Sequence, residues 1–205
     1  MGRVFGSYLV ADWSANGTPK TGKDSIWIAL VRPGMPPLLE NPATRQTAVA
    51  RIEALIQDEQ AAGRRVLAGF DFPFGYPAGF AEALGPAAGW EDVWARLAAE
   101  VSDAPDNGND RFDAAARLNT LFPGDGPFWG NGLKRDVPGL PRKLPAGYGT
   151  TLPARLRHAE GQARGAQEVW KLSGAGSVGG QALMGIAALE GLRQRVDATV
   201  WPFEP

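Results

Sequence analysis

The sequence predicts an α/β domain built on a mixed sheet. Two apolar runs that stop at an aspartate, Ser7 to Asp12 and Val66 to Asp71, have the length and punctuation of buried strands. Between them lies a stretch of helical periodicity, and several more helical stretches follow the second run. Strands joined through a helix and followed by further helices define the α/β class. With 205 residues, 44% hydrophobic and 21% charged, the chain is expected to fold as a single domain spanning 1–205. A formal charge of −1 excludes a wholly basic nucleic-acid coat. The absence of cysteine excludes disulfides, thiolate metal sites and a cysteine nucleophile. Met1-Gly2-Arg3-Val4-Phe5 has no signal-peptide character, and no apolar run approaches the roughly 18 residues of a membrane span. A cytoplasmic, membrane-free protein is therefore expected.

Ser7 to Ser14 forms the first strand, and Ala15-Asn16-Gly17-Thr18-Pro19 turns the chain. Asp24 to Val31 forms the second, antiparallel to the first across that Gly/Pro-rich connection. Leu38-Leu39-Glu40, after Pro36-Pro37, gives a short third strand. Thr44 to Ala62 is the clearest helix: Ala48, Ile52, Leu55, Ile56 and Glu59 share one face, and Gly63 stops it. Arg64 to Asp71 then returns as a strand, parallel to the first because a helix connects them. Pro73 and Pro77 end it.

Helical stretches follow around Phe80–Leu84, Trp90–Val101 and Asp110–Leu121. Prolines at 123, 127, 138, 141, 145 and 153 then mark a long loop from Phe122 to about Pro153, of the kind that is usually functional or mobile. Gln181–Arg193 is helical, and Asp197–Phe203 reads as a last strand. Charge is segregated: Lys134 to Lys171 holds eight Lys/Arg against three Asp/Glu, a local +5, leaving −6 elsewhere.

Asp12 and Asp71 carry the functional argument. At the ends of adjacent parallel strands both carboxylates emerge at the carboxyl-terminal edge of the sheet, where open α/β folds place ligands. Two carboxylates about 4 Å apart repel by roughly 4 kcal/mol at an effective dielectric of 20, so they need a cation between them or must share a proton. Mg²⁺ or Mn²⁺ suits such oxygen ligands, and Glu53 on the crossover helix or Glu204 near the chain end could add a third. The plainer alternative is that each aspartate only caps its own turn.

The first strand with Asp12, the hairpin with Asp24-Ser25-Ile26-Trp27, and Phe70-Asp71-Phe72-Pro73-Phe74-Gly75 resemble an uncharacterised bacterial domain-of-unknown-function family with a ribonuclease H-like fold. Members of that family are spoken of as predicted nucleases. The similarity spans most of the chain, including the glycine-rich segment and Trp201-Pro202-Phe203-Glu204. It implies metal-dependent phosphodiester chemistry, with nucleic acid or nucleotide as substrate and acids on the first and fourth strands, which match Asp12 and Asp71. Ribonuclease H-like nucleases normally have a further acid on a helix after the last strand; this sequence stops at Pro205 without one. Some relatives carry labels linking them to molybdopterin guanine dinucleotide synthesis.

A second candidate is the turn Lys171-Leu172-Ser173-Gly174-Ala175-Gly176-Ser177-Val178-Gly179-Gly180. Its G-x-G-x-x-G spacing fits the dinucleotide fingerprint, but the preceding residues make a poor strand and too little chain follows for a full dinucleotide domain. A phosphate held by free N–H groups, Lys171, Ser173, Gly174, Gly176 and Ser177 is the milder expectation. Lys134, Arg135, Arg142 and Lys143 of the basic loop could supply counter-charge. The alternatives are close helix packing for the glycines and a solvated face for the basic loop. His158 is the only histidine, which excludes a histidine metal site or dyad and suits a surface position. Trp129, in the long loop, could stack on a base or pack within the protein. A non-catalytic binder of a nucleotide or phosphorylated metabolite is the alternative to the nuclease.

Overall fold

Four strands, β1 (Ser7–Asp12), β2 (Trp27–Val31), β3 (Leu38–Glu40) and β4 (Val66–Phe70), pair in the order β3-β2-β1-β4. The structure is a computed structural model and describes residues 4–204. β1 runs antiparallel to β2 and parallel to β4, and β3 is antiparallel to β2. The mixed α/β architecture expected from the sequence is therefore present. Its contacts gather into two compact units, one of Met1–Asp71, Ala104–Gly108 and Gly191–Pro205, the other of Phe72–Asp103 and Asn109–Glu190.

The first unit contains the sheet. Alternation along β1 buries Ser7, Leu9 and Ala11 and exposes Val10 and Asp12, the signature of a strand with one covered face. The hairpin strands are shorter than expected at the turn end. Asn41 holds Ser25 and Ile26 with its side-chain amide, and Asp24 takes a positive φ of 56°, so those residues leave the ladder. The crossover α1 (Arg45–Ala61) begins at Thr44, whose hydroxyl accepts from the Thr47 N–H while Thr47 caps in return. Gly63, at φ +71°, ends it.

The predicted apolar face of α1 is the buried one: Ala48, Ile52, Leu55, Ile56 and Glu59. Glu59 is fully enclosed, receiving Arg32 Nε at 2.7 Å and Arg64 Nε at 2.5 Å. These guanidinium groups, Arg64 first, hold its carboxyl well below the usual range, at about 2, with the Ser7 side chain nearby. Ser7 lies on the Leu9 face of β1, so this is the sheet face that α1 covers.

The expected last strand is not formed. Residues 197–200 are irregular and 201–203 make a turn. Phe203 N and Glu204 N both donate to Val200 O, and Val200 N donates to the Glu204 carboxylate at 2.5 Å. Those three donors are used locally, and Pro202 has none, which takes them out of any ladder.

The second unit is helical: α2 (Phe80–Leu84), α3 (Trp90–Glu100), α4 (Arg111–Asn119), the short α5 (His158–Gln162) and α6 (Gly179–Arg193), which belongs to it through Glu190. Its core is aromatic, with the Trp170 ring centred 4.9 Å from Tyr76, 5.0 Å from Phe128 and 5.9 Å from Phe80. The 122–153 segment contains turns and isolated bridges. Asn119 fastens it by accepting from Phe128 N at 2.8 Å and donating to Phe128 O and Gly139 O at 2.9 and 2.8 Å.

Candidate functional site

Parallel pairing of β1 with β4 sets Ala11 opposite Phe70, which brings the next residues, Asp12 and Asp71, side by side at the carboxyl-terminal edge. The Asp71 N–H donates to Ala11 O at 3.3 Å, and the Trp13 N–H donates to Asp71 Oδ1 at 2.8 Å. Asp71 thus ties the neighbouring strand end, a long-range contact distinct from the cap of its own turn that was the plainer alternative. Its pKa is nevertheless raised. Partial loss of water is the largest cause, and the charge and hydrogen bond of the adjacent Asp12 carboxylate add to it against the opposing Trp13 N–H. Two carboxylates within hydrogen-bonding reach favour one shared proton, or a cation that takes its place.

The segment after Asp12 is held by residues the sequence reading did not single out. Arg45, only 1% exposed, donates from Nη1 to Ser14 O at 3.2 Å and Asn16 O at 2.7 Å. Its Nη2 donates to Asn107 O at 2.8 Å, and its backbone N–H to Asn107 Oδ1 at 2.8 Å. Asn107 has φ 68° and donates its amide to Thr18 O and Ala43 O, both at 3.2 Å. The Asn107-Gly108 pair was a visible turn signal. Nothing in the sequence marked Arg45 as buried, because an arginine in a first helical turn usually faces water.

Neither proposed third acid joins the pair. Glu53 receives Arg195 Nε at 2.8 Å, and the Glu204 carboxylate caps the backbone of Val200. Among the described residues there is no group of three or more His, Cys, Asp or Glu that could hold a metal ion. The reason for Glu53 lies in the sheet. The acids follow the alternation of Val10 and Leu67, both exposed, whereas α1 covers the opposite face.

The glycine-rich turn lies in the second unit, and several of its polar groups bond to its own surroundings. Lys171 Nζ donates to Ala175 O at 2.8 Å and stands 5.5 Å from the Trp129 ring centre. Ser173 Oγ donates to Gly130 O at 2.6 Å, Ser177 N to Gly174 O at 3.1 Å, and Gly179 N to Lys171 O at 2.9 Å. Gly174 and Gly176 take φ values of 95° and 70° that favour glycine, and a Cβ at Gly179 would collide with the carbonyls of Val169 and Lys171. Gly179 thus serves close packing at the start of α6.

In the basic loop, Arg135 pairs with Asp113 at 2.5 Å, and Arg142 pairs with Asp136 at 2.9 Å. Arg142 also donates to Leu133 O at 2.8 Å and Arg135 O at 3.0 Å, so it organises the loop. Lys134 and Lys143 are exposed. An open hollow of about 310 Å³ beside them is lined by Asp125, Asp136, Val137, Leu140 and Arg142 among others, a mixture of charges rather than a cationic cradle. Trp129 donates its indole N–H to Glu168 at 3.2 Å, which supports packing over base stacking. His158 is exposed at the start of α5. No helix among the described residues is long and apolar enough to cross a membrane.

Comparison of the chain with protein-family models, with curated proteins and with solved structures yields no match, so its functional reading stands on its own residues.

Proposed function

We propose that this chain is a divalent-metal-dependent phosphodiesterase or nuclease of ribonuclease H-like type, acting on nucleic acid or a nucleotide through Asp12 and Asp71. The observation that carries the proposal is the meeting of these carboxylates at neighbouring parallel strand ends, with Asp71 held above the ordinary carboxylate range. The strand order β3-β2-β1-β4, with α1 between β3 and β4, supports the resemblance on which the ribonuclease H-like assignment rests. Mg²⁺ or Mn²⁺ bound there would supply positive charge at the phosphate and an activated water. The Trp13 N–H fixes Oδ1 of Asp71, while Arg45 holds the Ser14 and Asn16 carbonyls and so the exit path of the chain beyond Asp12.

The test is turnover of RNA, DNA and nucleotide substrates with Mn²⁺, together with Mn²⁺ titration of the wild type, Asp12→Asn and Asp71→Asn. Turnover and metal binding should both be lost in the variants. Absence of turnover in the wild type, with metal binding unchanged in both variants, refutes the proposal.

A second reading, a binder of a nucleotide or phosphorylated metabolite without hydrolysis, is favoured because no third acid joins the pair among the described residues. It expects ligand-induced thermal stabilisation that survives Asp71→Asn and disappears in Lys171→Ala. The opposite pattern excludes it.

A further inference from the structure

The sheet covers one of its faces with α1 and leaves the other open. On the open side lie Tyr8, Val10 and Asp12 of β1, Val31 of β2, Leu39 of β3, and the series Arg65, Leu67, Gly69, Asp71 along β4. Val10 is 56% exposed, Val31 43%, Leu39 63% and Leu67 46%, a contiguous apolar group rather than scattered residues. A Cβ built on Gly69 meets nothing within 4 Å, so the space above the middle of β4 is empty.

The charges on this face follow strand direction. Because β1 and β4 are parallel, both acids, Asp12 and Asp71, stand at one end. Arg65 stands at the other, exposed, with its guanidinium 5.2 Å from the Phe5 ring centre. Its neighbour Arg64 alternates to the covered side and is taken up by Glu59. A face that is acidic at one end, basic at the other and apolar between is complementary to itself after a half-turn about an axis that lies parallel to the sheet and perpendicular to its strands.

We propose that this open sheet face pairs with the same face of a second copy of the chain, Arg65 of each copy meeting the Asp12–Asp71 end of the other. A two-fold axis passing over Ala68 carries residue 65 onto 71 and residue 67 onto 69. Leu67 of one copy then fills the space left by Gly69 of the other, which gives the bare glycine a purpose. Arg65 and Asp71 are separated by about 20 Å along β4, at roughly 3.3 Å per residue, so the two charge contacts flank the apolar centre symmetrically. Four strands at about 4.8 Å spacing give a footprint of roughly 350 Å², well under the ~800 Å² buried per partner in a standard interface. The dimer is therefore a weak, transient one. The inference does not rest on the chemistry proposed above, and the metal proposed at the acid pair would compete with the incoming Arg65.

Sedimentation of the full chain from about 5 to 500 μM tests it. The mass should rise from 21.8 kDa toward twice that value. Leu67→Asp and Leu39→Asp, at exposed positions and checked for native circular dichroism, should each weaken association at least tenfold. Arg65→Glu and Asp12→Arg should do the same singly, and together should restore it to within a few-fold of wild type. A wild type that stays monomeric throughout, a dimer indifferent to Leu67→Asp and Leu39→Asp, or a double charge variant without recovery overturns the proposal.

Discussion

Replacing Glu59 by glutamine keeps the shape of the side chain and removes the charge that two arginines enclose. In the folded protein this carboxyl titrates at about 2 against an ordinary 4.5, and its side chain is fully buried while Arg32 and Arg64 remain 26% and 39% exposed. A depressed carboxylate pKa contributes stability that is complete above the unfolded value and is lost as pH falls through the folded one. Taken whole, this difference corresponds to about 3 kcal/mol; water reaching both arginines reduces the expectation to about 2 kcal/mol. Glu59→Gln should therefore unfold about 4–8 °C below wild type at pH 7. Urea titrations at pH 7 and across the range from 4.5 down to 2 give the sharper test, because the wild type should lose its advantage in that window and converge with the variant. A deficit of the same size at both ends of the window, or one under about 0.5 kcal/mol at pH 7, would refute the assignment of this stability to the Arg32–Glu59–Arg64 cluster.

Three further outcomes are expected. Asp71→Asn should raise the melting temperature at pH 7: a raised carboxyl pKa means that the folded state favours the neutral form and loses stability as pH rises through the carboxylate range, and Asn can still accept from the Trp13 N–H. Asp12→Asn should lower the pKa of Asp71, followed by carboxyl NMR shifts, because the neighbouring charge is one of the causes of its elevation. Arg45→Met should cost about 2–4 kcal/mol in urea unfolding, since it strips donors from the Ser14, Asn16 and Asn107 carbonyls. Its effect should extend to faster amide exchange in residues 14–16.

The sequence alone determined the mixed α/β class, the crossover helix and the placement of Asp12 with Asp71. Each follows from local signals that tertiary packing reinforced: apolar runs that stop at an aspartate, a helix with one apolar face stopped by Gly63, and prolines that end a strand. The helix face named from spacing, down to Glu59, is the buried one because only that stripe can meet the sheet without exposing apolar surface. The residues around the site were not legible in the same way. Arg45 is buried because its guanidinium finds carbonyls contributed by Ser14, Asn16 and Asn107, up to 62 positions away, and no local pattern encodes that meeting. Glu53 carries the right chemistry on the wrong side of the sheet, a distinction set by packing rather than residue type. The final Asp197–Phe203 stretch had strand-forming residues, yet its N–H groups close on Val200 and Glu204 instead of on another strand. Short-range periodicity thus sufficed for elements whose partners were dictated by burial, while tertiary structure decided where long-range hydrogen bonds and charges converge.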